Sequence, residues 1–414
     1  MNHATLAGIS PFRETVDGIE MIDANEPAAP RMTAGNKRCP ALLYICDWLP
    51  PDFGAVGQYS VIFARELATE GLDVTLAGLS TRGNGDSCEA IGLGRYREIK
   101  LATRPYDKTR TLRRLLWTAS VNTRLIFSLW SRMRAADTIL FTGSPPLFLH
   151  WIAPANIILR KKLVYRITDF HPECAIAERG RASMLLRLLY RATLFWRRRV
   201  HMFEILGHDQ GERLAAIGIP ADRMRFKPDP SPVEIGPDTR PLDRPPEADG
   251  KLLLLYSGNW GVAHDHMTFV EAYRRHHCEG RANVLLWLNA VGGRAQKVAD
   301  ALTELGLPFI RGTPVPLDRL ASLLVTPDAH LITLSDPFVG YVLPSKVFGC
   351  VQSGKPVIFI GSDRSDVHRI CLESGDPHYR RVDVGDVAAT AQALDELGSM
   401  QSEPLAQNEV FSRR

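Results

Sequence analysis

The chain has 414 residues and little cysteine, and what cysteine it has is scattered. Its seven cysteines are Cys39, Cys46, Cys88, Cys174, Cys278, Cys350 and Cys371. The number is odd and no C-x-x-C pair occurs, so neither a disulfide framework nor a cysteine metal cluster is expected. A reducing cytoplasm fits such usage. Long hydrophobic runs are missing too. The best one, Pro145 to Leu159, is too short to span a bilayer and contains His150 and Asn156. The first residues carry Glu14, Asp17 and Glu20 and lack a basic start followed by an apolar run, so no signal peptide is expected. Acidic residues are scarce in one window. Between Ile91 and Val200 about 22 Lys and Arg face about 6 Asp and Glu, roughly +16. The whole chain is only +4, so the remainder is near −12. No nucleic-acid recognition motif accompanies this basic window, which argues against that partner.

What is present is ordinary for a soluble globular protein: 45% hydrophobic and 23% charged residues. The length exceeds one ordinary core and implies two domains. Residues 1–39 show no periodicity and are expected to form a mobile tail, and 396–414 are expected to form a C-terminal tail. From Ala41 strands and helices alternate. Strands are predicted at Ala41–Cys46, Asp73–Ala77, Thr138–Phe141, Leu163–Ile167 and His201–Ile205. Helices are predicted at Gln58–Thr69, Thr111–Arg134, Leu147–Arg160, Met184–Arg197 and Gln210–Ile217, with a polar loop around Thr81–Ser87. This pattern implies parallel β-α-β units in a first domain over 40–228. Seven prolines between Pro228 and Gly250 mark a linker, 229–250. A second α/β series over 251–395 has strands near Leu252–Tyr256, Val284–Leu288, Phe309–Arg311, His330–Leu334 and Val357–Ile360. Two doubly wound Rossmann-like domains would then face one another across a cleft lined by the carboxyl ends of their strands.

Several segments fall on that cleft. Pro344-Ser345-Lys346 opens a short helix closed by Gly354, and a helix N-terminus with a lysine suits an anion. Ser257-Gly258-Asn259-Trp260-Gly261 and His264 form the first turn of the second domain. A nest of N–H groups facing a diphosphate, or simply a tight turn needing glycine, accounts for them. Arg294 follows Gly292-Gly293. Asp169, His171 and Glu173 follow a buried strand, where titratable groups suit chemistry, although Asp169 also suits a cap. Gly54 and Gly57 open the first helix, and Gly143-Ser144-Pro145-Pro146 precedes another.

Taken in order, these segments resemble the GT-B glycosyltransferases, in particular retaining family four of the bacterial O-antigen and exopolysaccharide type, over roughly residues 41–395. The resemblance implies transfer of a sugar from a nucleotide sugar to an acceptor, with retention of anomeric configuration and with no metal or other cofactor. The acceptor is implied to be a lipid-diphosphate-linked saccharide. Donor contacts are implied for Gly54, Gly57, Ser257, Gly258, Asn259, Trp260, Gly261, His264, Arg294, Pro344, Ser345 and Lys346. Acceptor-side or catalytic roles are implied for Asp169, His171 and Glu173. The chain departs from the family where Asn259 and His264 stand in place of an arginine and a lysine. It departs again where Tyr341 and Gly349 replace a pair of glutamates, leaving Asp336 as a substitute. A nucleotide-sugar 2-epimerase shares this architecture, and a degenerate, non-catalytic transferase would show such losses. The basic window, with Trp117, Trp130, Phe195 and Trp196 among its arginines, suggests peripheral docking on the inner face of an anionic cytoplasmic membrane. A solvated basic face is the plainer alternative.

Overall fold

The computed structural model describes residues 39–52, 55–104, 111–229 and 231–399. The first series runs β1 (Ala41–Trp48), α1 (Ala55–Thr69), β2 (Asp73–Ser80), β3 (Gly85–Ile91), β4 (Gly94–Ala102), α2 (Thr111–Ala135), β5 (Thr138–Thr142), α3 (Leu149–Leu159), β6 (Lys162–Ile167), α4 (Glu173–Arg179), α5 (Met184–Arg197), β7 (Met202–Ile205), α6 (His208–Ala216) and β8 (Met224–Phe226). Its sheet has the order β3-β4-β2-β1-β5-β6-β7-β8. All pairings are parallel except β3 with β4. Leu42 to Cys46 form an unbroken buried run because helices cover both faces of a central parallel strand.

The second series runs β9 (Leu252–Asn259), α7 (Met267–Glu279), β10 (Val284–Val291), α8 (Gly293–Glu304), β11 (Phe309–Arg311), α9 (Leu317–Val325), β12 (Ala329–Thr333), α10 (Lys346–Gln352), β13 (Val357–Ile360), α11 (Asp366–Glu373), β14 (Arg380–Val382) and α12 (Val387–Ser399). Its sheet is wholly parallel, in the order β11-β10-β9-β12-β13-β14. The architecture is the expected pair of Rossmann-like domains. The Pro-rich stretch between them is anchored at both ends. Asp229 pairs with the buried Arg166 at 2.6 Å, and Arg244 pairs with Asp328 at 2.7 Å.

The polar loop expected around Thr81–Ser87 is instead the start of the β3–β4 hairpin. Strand β3 lies at the sheet edge with nearly every residue exposed, so it has no apolar alternation to betray it. The short elements α4, β8 and β14 also lacked a readable period.

The charge reading needs one correction. Arg197 is fully buried and binds Glu173 through its two terminal guanidinium nitrogens, whereas Arg198 and Arg199 are exposed. Trp117, Trp130 and Trp196 pack against the core. The outer face of α2, α3 and α5 nevertheless exposes Leu116, Phe127, Ile158, Met184, Leu185 and Leu188, each by more than 60%. Arg113, Arg114, Arg124, Arg187 and Arg191 are also exposed on α2 and α5.

Candidate active site

In each sheet the strand order reverses once in the middle, and the loops leaving the two strands at that point diverge into a crevice. In the first sheet this lies between β1 and β5, and in the second between β9 and β12. The two edges meet. The Phe170 amide donates to the Tyr341 carbonyl at 3.2 Å, and Asp169 bridges to Val342. The Arg213 guanidinium donates twice to the Val339 carbonyl, at 3.1 and 2.9 Å. The Tyr59 phenol on α1 lies beside the Ser345 side chain. Cys174 and Leu206 join Phe338, Val339 and Leu343 in one apolar cluster.

On the second-domain side, the turn after β9 and the turn after β10 pack together. The Arg294 amide donates to the Trp260 carbonyl at 3.1 Å, and its guanidinium to the His264 carbonyl at 2.8 Å. Gly292 has φ +106°, and a Cβ there would lie 2.4 Å from the Asn259 amide oxygen, so only glycine fits. Ser257, Gly258, Asn259, Gly261, His264 and Arg294 are thus gathered at the crevice, with Asn259 exposed. Trp260 is not available as a contact. Its indole is fully buried, stacks on Tyr256 at 3.7 Å and donates to the Asp265 carbonyl, while its amide is held by Val291. His264 carries no charge to offer a phosphate. Burial, then the Lys346 ammonium, push it down to about 3, and its Nδ1 lies 2.5 Å from the Thr333 carbonyl.

Pro344, Ser345 and Lys346 stand where β12's loop enters α10. That helix has seven residues, so its dipole is small and the anion-binding expectation rests on the lysine itself. The Lys346 ammonium is shut off from solvent, makes no hydrogen bond, and lies 3.4 Å from the Tyr256 ring centroid. Burial pushes it down to about 7. A desolvated ammonium with only a ring for company is an unsatisfied cation in search of an anion.

On the first-domain side, Gly54 lies outside the described residues. A Cβ on Gly57 would sit 1.8 Å from the Trp48 carbonyl oxygen, so this glycine serves the close approach of α1 to β1. Glu173 is committed to Arg197 in a buried bidentate pair, which corrects the expectation of a catalytic carboxylate there. His171 is half-buried, and its carbonyl accepts from Arg197 at 3.3 Å. Asp169 is raised by burial and drawn partly back by His171.

The sequence reading passed over Asp47. It is the penultimate residue of β1, at a register irregularity between Ile45 and Trp48. Burial pushes its carboxyl up to about 6, with the Trp48 amide and Ser144 hydroxyl opposing and Asp169 adding to the rise. Its Oδ1 is closed to solvent and takes no hydrogen bond. The signal was available: Asp47 follows a buried apolar strand as Asp169 does. Among the described residues no group of His, Cys, Asp and Glu converges as a metal site.

No family model matches the chain, and no curated protein matches it by sequence. Solved structures do match in fold. An E. coli trehalose-6-phosphate protein bound with UDP-2-fluoro glucose superimposes with TM-score 0.58 at 13% identity, over 87% of this chain and 91% of that one. The α,α-trehalose 6-phosphate synthase of Burkholderia multivorans gives 0.57 at 12% identity, over 89% and 90%. The Candida albicans trehalose-6-phosphate phosphatase N-terminal domain gives 0.56 at 13% identity, over 90% and 93%. At such identity the likeness is one of fold: this chain has the GT-B architecture of two Rossmann-like domains across a cleft.

Proposed function

We propose that this chain is a glycosyltransferase that moves a sugar from a nucleotide sugar to a saccharide acceptor. The observation that carries the reading is the unpartnered, desolvated ammonium of Lys346 at the crevice of the second sheet, in a fold whose solved example holds a UDP sugar. Breaking the sugar–phosphate bond loads negative charge onto the leaving diphosphate. Lys346, with Arg294 beside the first turn, would meet that charge without a metal. Closure of the two domains, already joined through Tyr341, Val342 and Val339, would keep water from the sugar.

The acceptor is proposed to be lipid-linked and used at the cytoplasmic membrane surface in building surface polysaccharide. Support comes from α2, α3 and α5, which expose Leu, Ile, Met and Phe side chains, with exposed arginines on α2 and α5, a pattern suited to an anionic bilayer. No helix among the described residues is long and apolar enough to cross a membrane, so this contact would be peripheral.

A thermal-shift screen against nucleoside diphosphates and their sugars tests the reading, since a binder raises the melting point by mass action. Binding followed by sugar transfer to an acceptor supports it. Conversion of the nucleotide sugar without any acceptor would mark an isomerase, and no binding at all would mark a non-catalytic partner.

A further inference from the structure

Independently of the transferase reading, we infer that Asp209 and Asp366 share a proton and form with it a clasp between the two domains, so that loss of the proton lets the domains part. The clasp is built from one helix start on each side. Helix α6 leaves the carboxyl end of β7 and α11 the carboxyl end of β13, so both begin on the crevice side of their sheets. The Asp209 amide donates to Asp366 Oδ2 and the Asp366 amide to Asp209 Oδ2, each at 3.2 Å. Two buried residues 157 apart in the chain thus cap one another. A Cβ on Gly207 would run into the Asp366 carboxyl group, so glycine is needed for the approach. One turn further along α6, Arg213 grips the Val339 carbonyl, and a Cβ on Gly340 would lie 2.7 Å from the Asp209 carbonyl oxygen. Helix α6 is therefore the first domain's hold on two segments of the second.

The charges around the pair do not balance without a proton. Arg369 on α11 is the cation that reaches it, binding Asp366 Oδ1 at 2.5 Å and donating to His208 Nδ1. A ring nitrogen that accepts from a guanidinium carries no proton, so His208 is neutral. Burial and Arg369 push it down to about 4, and its ring rests against Phe226. The exposed Glu373 draws on the same guanidinium at 3.6 Å. Gln210 beside Asp209 is uncharged and accepts from the Leu206 amide. Two carboxylates facing one arginine leave surplus negative charge in a buried place, and Asp209 Oδ1 takes no hydrogen bond. A proton held between them removes the surplus. Burial and Asp209 accordingly raise Asp366 to about 7, with Arg369 opposing.

Parted, the carboxyl groups would meet water, and Asp366 would return to its usual 3.8. Between those two values the closed form binds a proton that the open form has released. Closure is favoured at low pH, and that advantage is lost as pH rises through 7. With these two values the ratio of closed to open molecules falls about tenfold between pH 6 and pH 8.

The test uses the full chain without nucleotide. Cys88 on β3 and Cys278 on α7 are exposed, one in each domain, whereas Cys46, Cys174, Cys350 and Cys371 are buried. With the exposed Cys39 changed to Ser, dyes on Cys88 and Cys278 report the separation of the domains by single-molecule fluorescence transfer. The expected result is two separations, the longer gaining about tenfold on the shorter from pH 6 to pH 8. Asp366→Asn supplies an amide N–H in place of the shared proton and should hold the shorter separation at both pH values. His208→Gln should leave the tenfold shift in place, since His208 is already neutral there. A separation indifferent to pH, or a shift that survives in Asp366→Asn, would overturn the clasp. Should Asp366→Asn fail to fold, Asp209→Asn carries the same expectation and decides in its stead.

Discussion

Lys346→Met isolates the buried ammonium. An unfolded lysine titrates near 10.5, whereas burial holds Lys346 at about 7 in the folded chain. Between those values the unfolded chain binds the proton that the folded chain has released. Stability therefore rises with pH across roughly 7 to 10.5 and is lower, by a constant amount, below pH 7. The gap of about 3.5 units at 1.36 kcal/mol each gives an upper bound of about 5 kcal/mol. Loss of the contact with the Tyr256 ring would return about 0.5–2 kcal/mol of that. Lys346→Met should thus be more stable than the unaltered protein by a few kcal/mol at pH 6 and nearly equal to it at pH 10, by urea denaturation. A nucleoside diphosphate placed at the ammonium would restore its proton. At pH 8 about nine-tenths of Lys346 is neutral, so binding should take up nearly one proton. Calorimetry in two buffers of different ionisation enthalpy reads that uptake directly. The variant should bind without uptake and more weakly by about 1.5–3 kcal/mol. Parallel pH–stability curves would show that the ammonium is not desolvated, and binding without proton uptake would remove Lys346 from the donor site.

Three further outcomes are expected. Arg197→Met should destabilise the chain by about 3–5 kcal/mol because it strands the Glu173 carboxylate in the core, and a Glu173→Leu partner change should recover most of it; a mild single variant would mean Glu173 is free for chemistry after all. Asp209 on α6 and Asp366 on α11 each accept the other's backbone N–H at 3.2 Å across the domain boundary, with Arg369 and His208 alongside. Burial and Asp209 raise Asp366 to about 7 from the usual 3.8, so this contact stabilises fully below about pH 4 and loses that contribution as pH rises through 7. Asp366→Asn should flatten the melting curve against pH and raise melting at pH 8, and an unchanged slope would contradict the assignment. Changing Arg187 and Arg191 to Gln should reduce co-sedimentation with anionic vesicles at low salt without altering nucleotide affinity, whereas binding indifferent to lipid charge would leave the basic face as solvated surface.

The sequence by itself determined the alternation of apolar strand runs with amphipathic helices, and hence two doubly wound sheets. Period and length are local properties, and a strand such as Leu252–Tyr256 or Val357–Ile360 is apolar throughout because helices must cover both its faces. It also located the segments that reach the crevice, since a strand's carboxyl end is set by where its apolar run stops. It did not determine which side chains would face that crevice. Arg197, Arg198 and Arg199 are chemically alike and adjacent, yet only the first turns inward to Glu173. Trp260 reads like a ligand platform beside two glycines, yet it is core, because Tyr256, four residues earlier, lies flat against it. Lys346 was legible as a cation at a helix start but not as a desolvated one, since the Tyr256 ring that covers it lies 90 residues away in the chain. Asp47 became distinct from any other strand-end carboxylate only when β5 and β6 brought Ser144 and Asp169 beside it. Burial, and with it proton affinity, belongs to the assembled neighbours rather than to the residue, so the tertiary structure alone decided which polar groups are left without a partner.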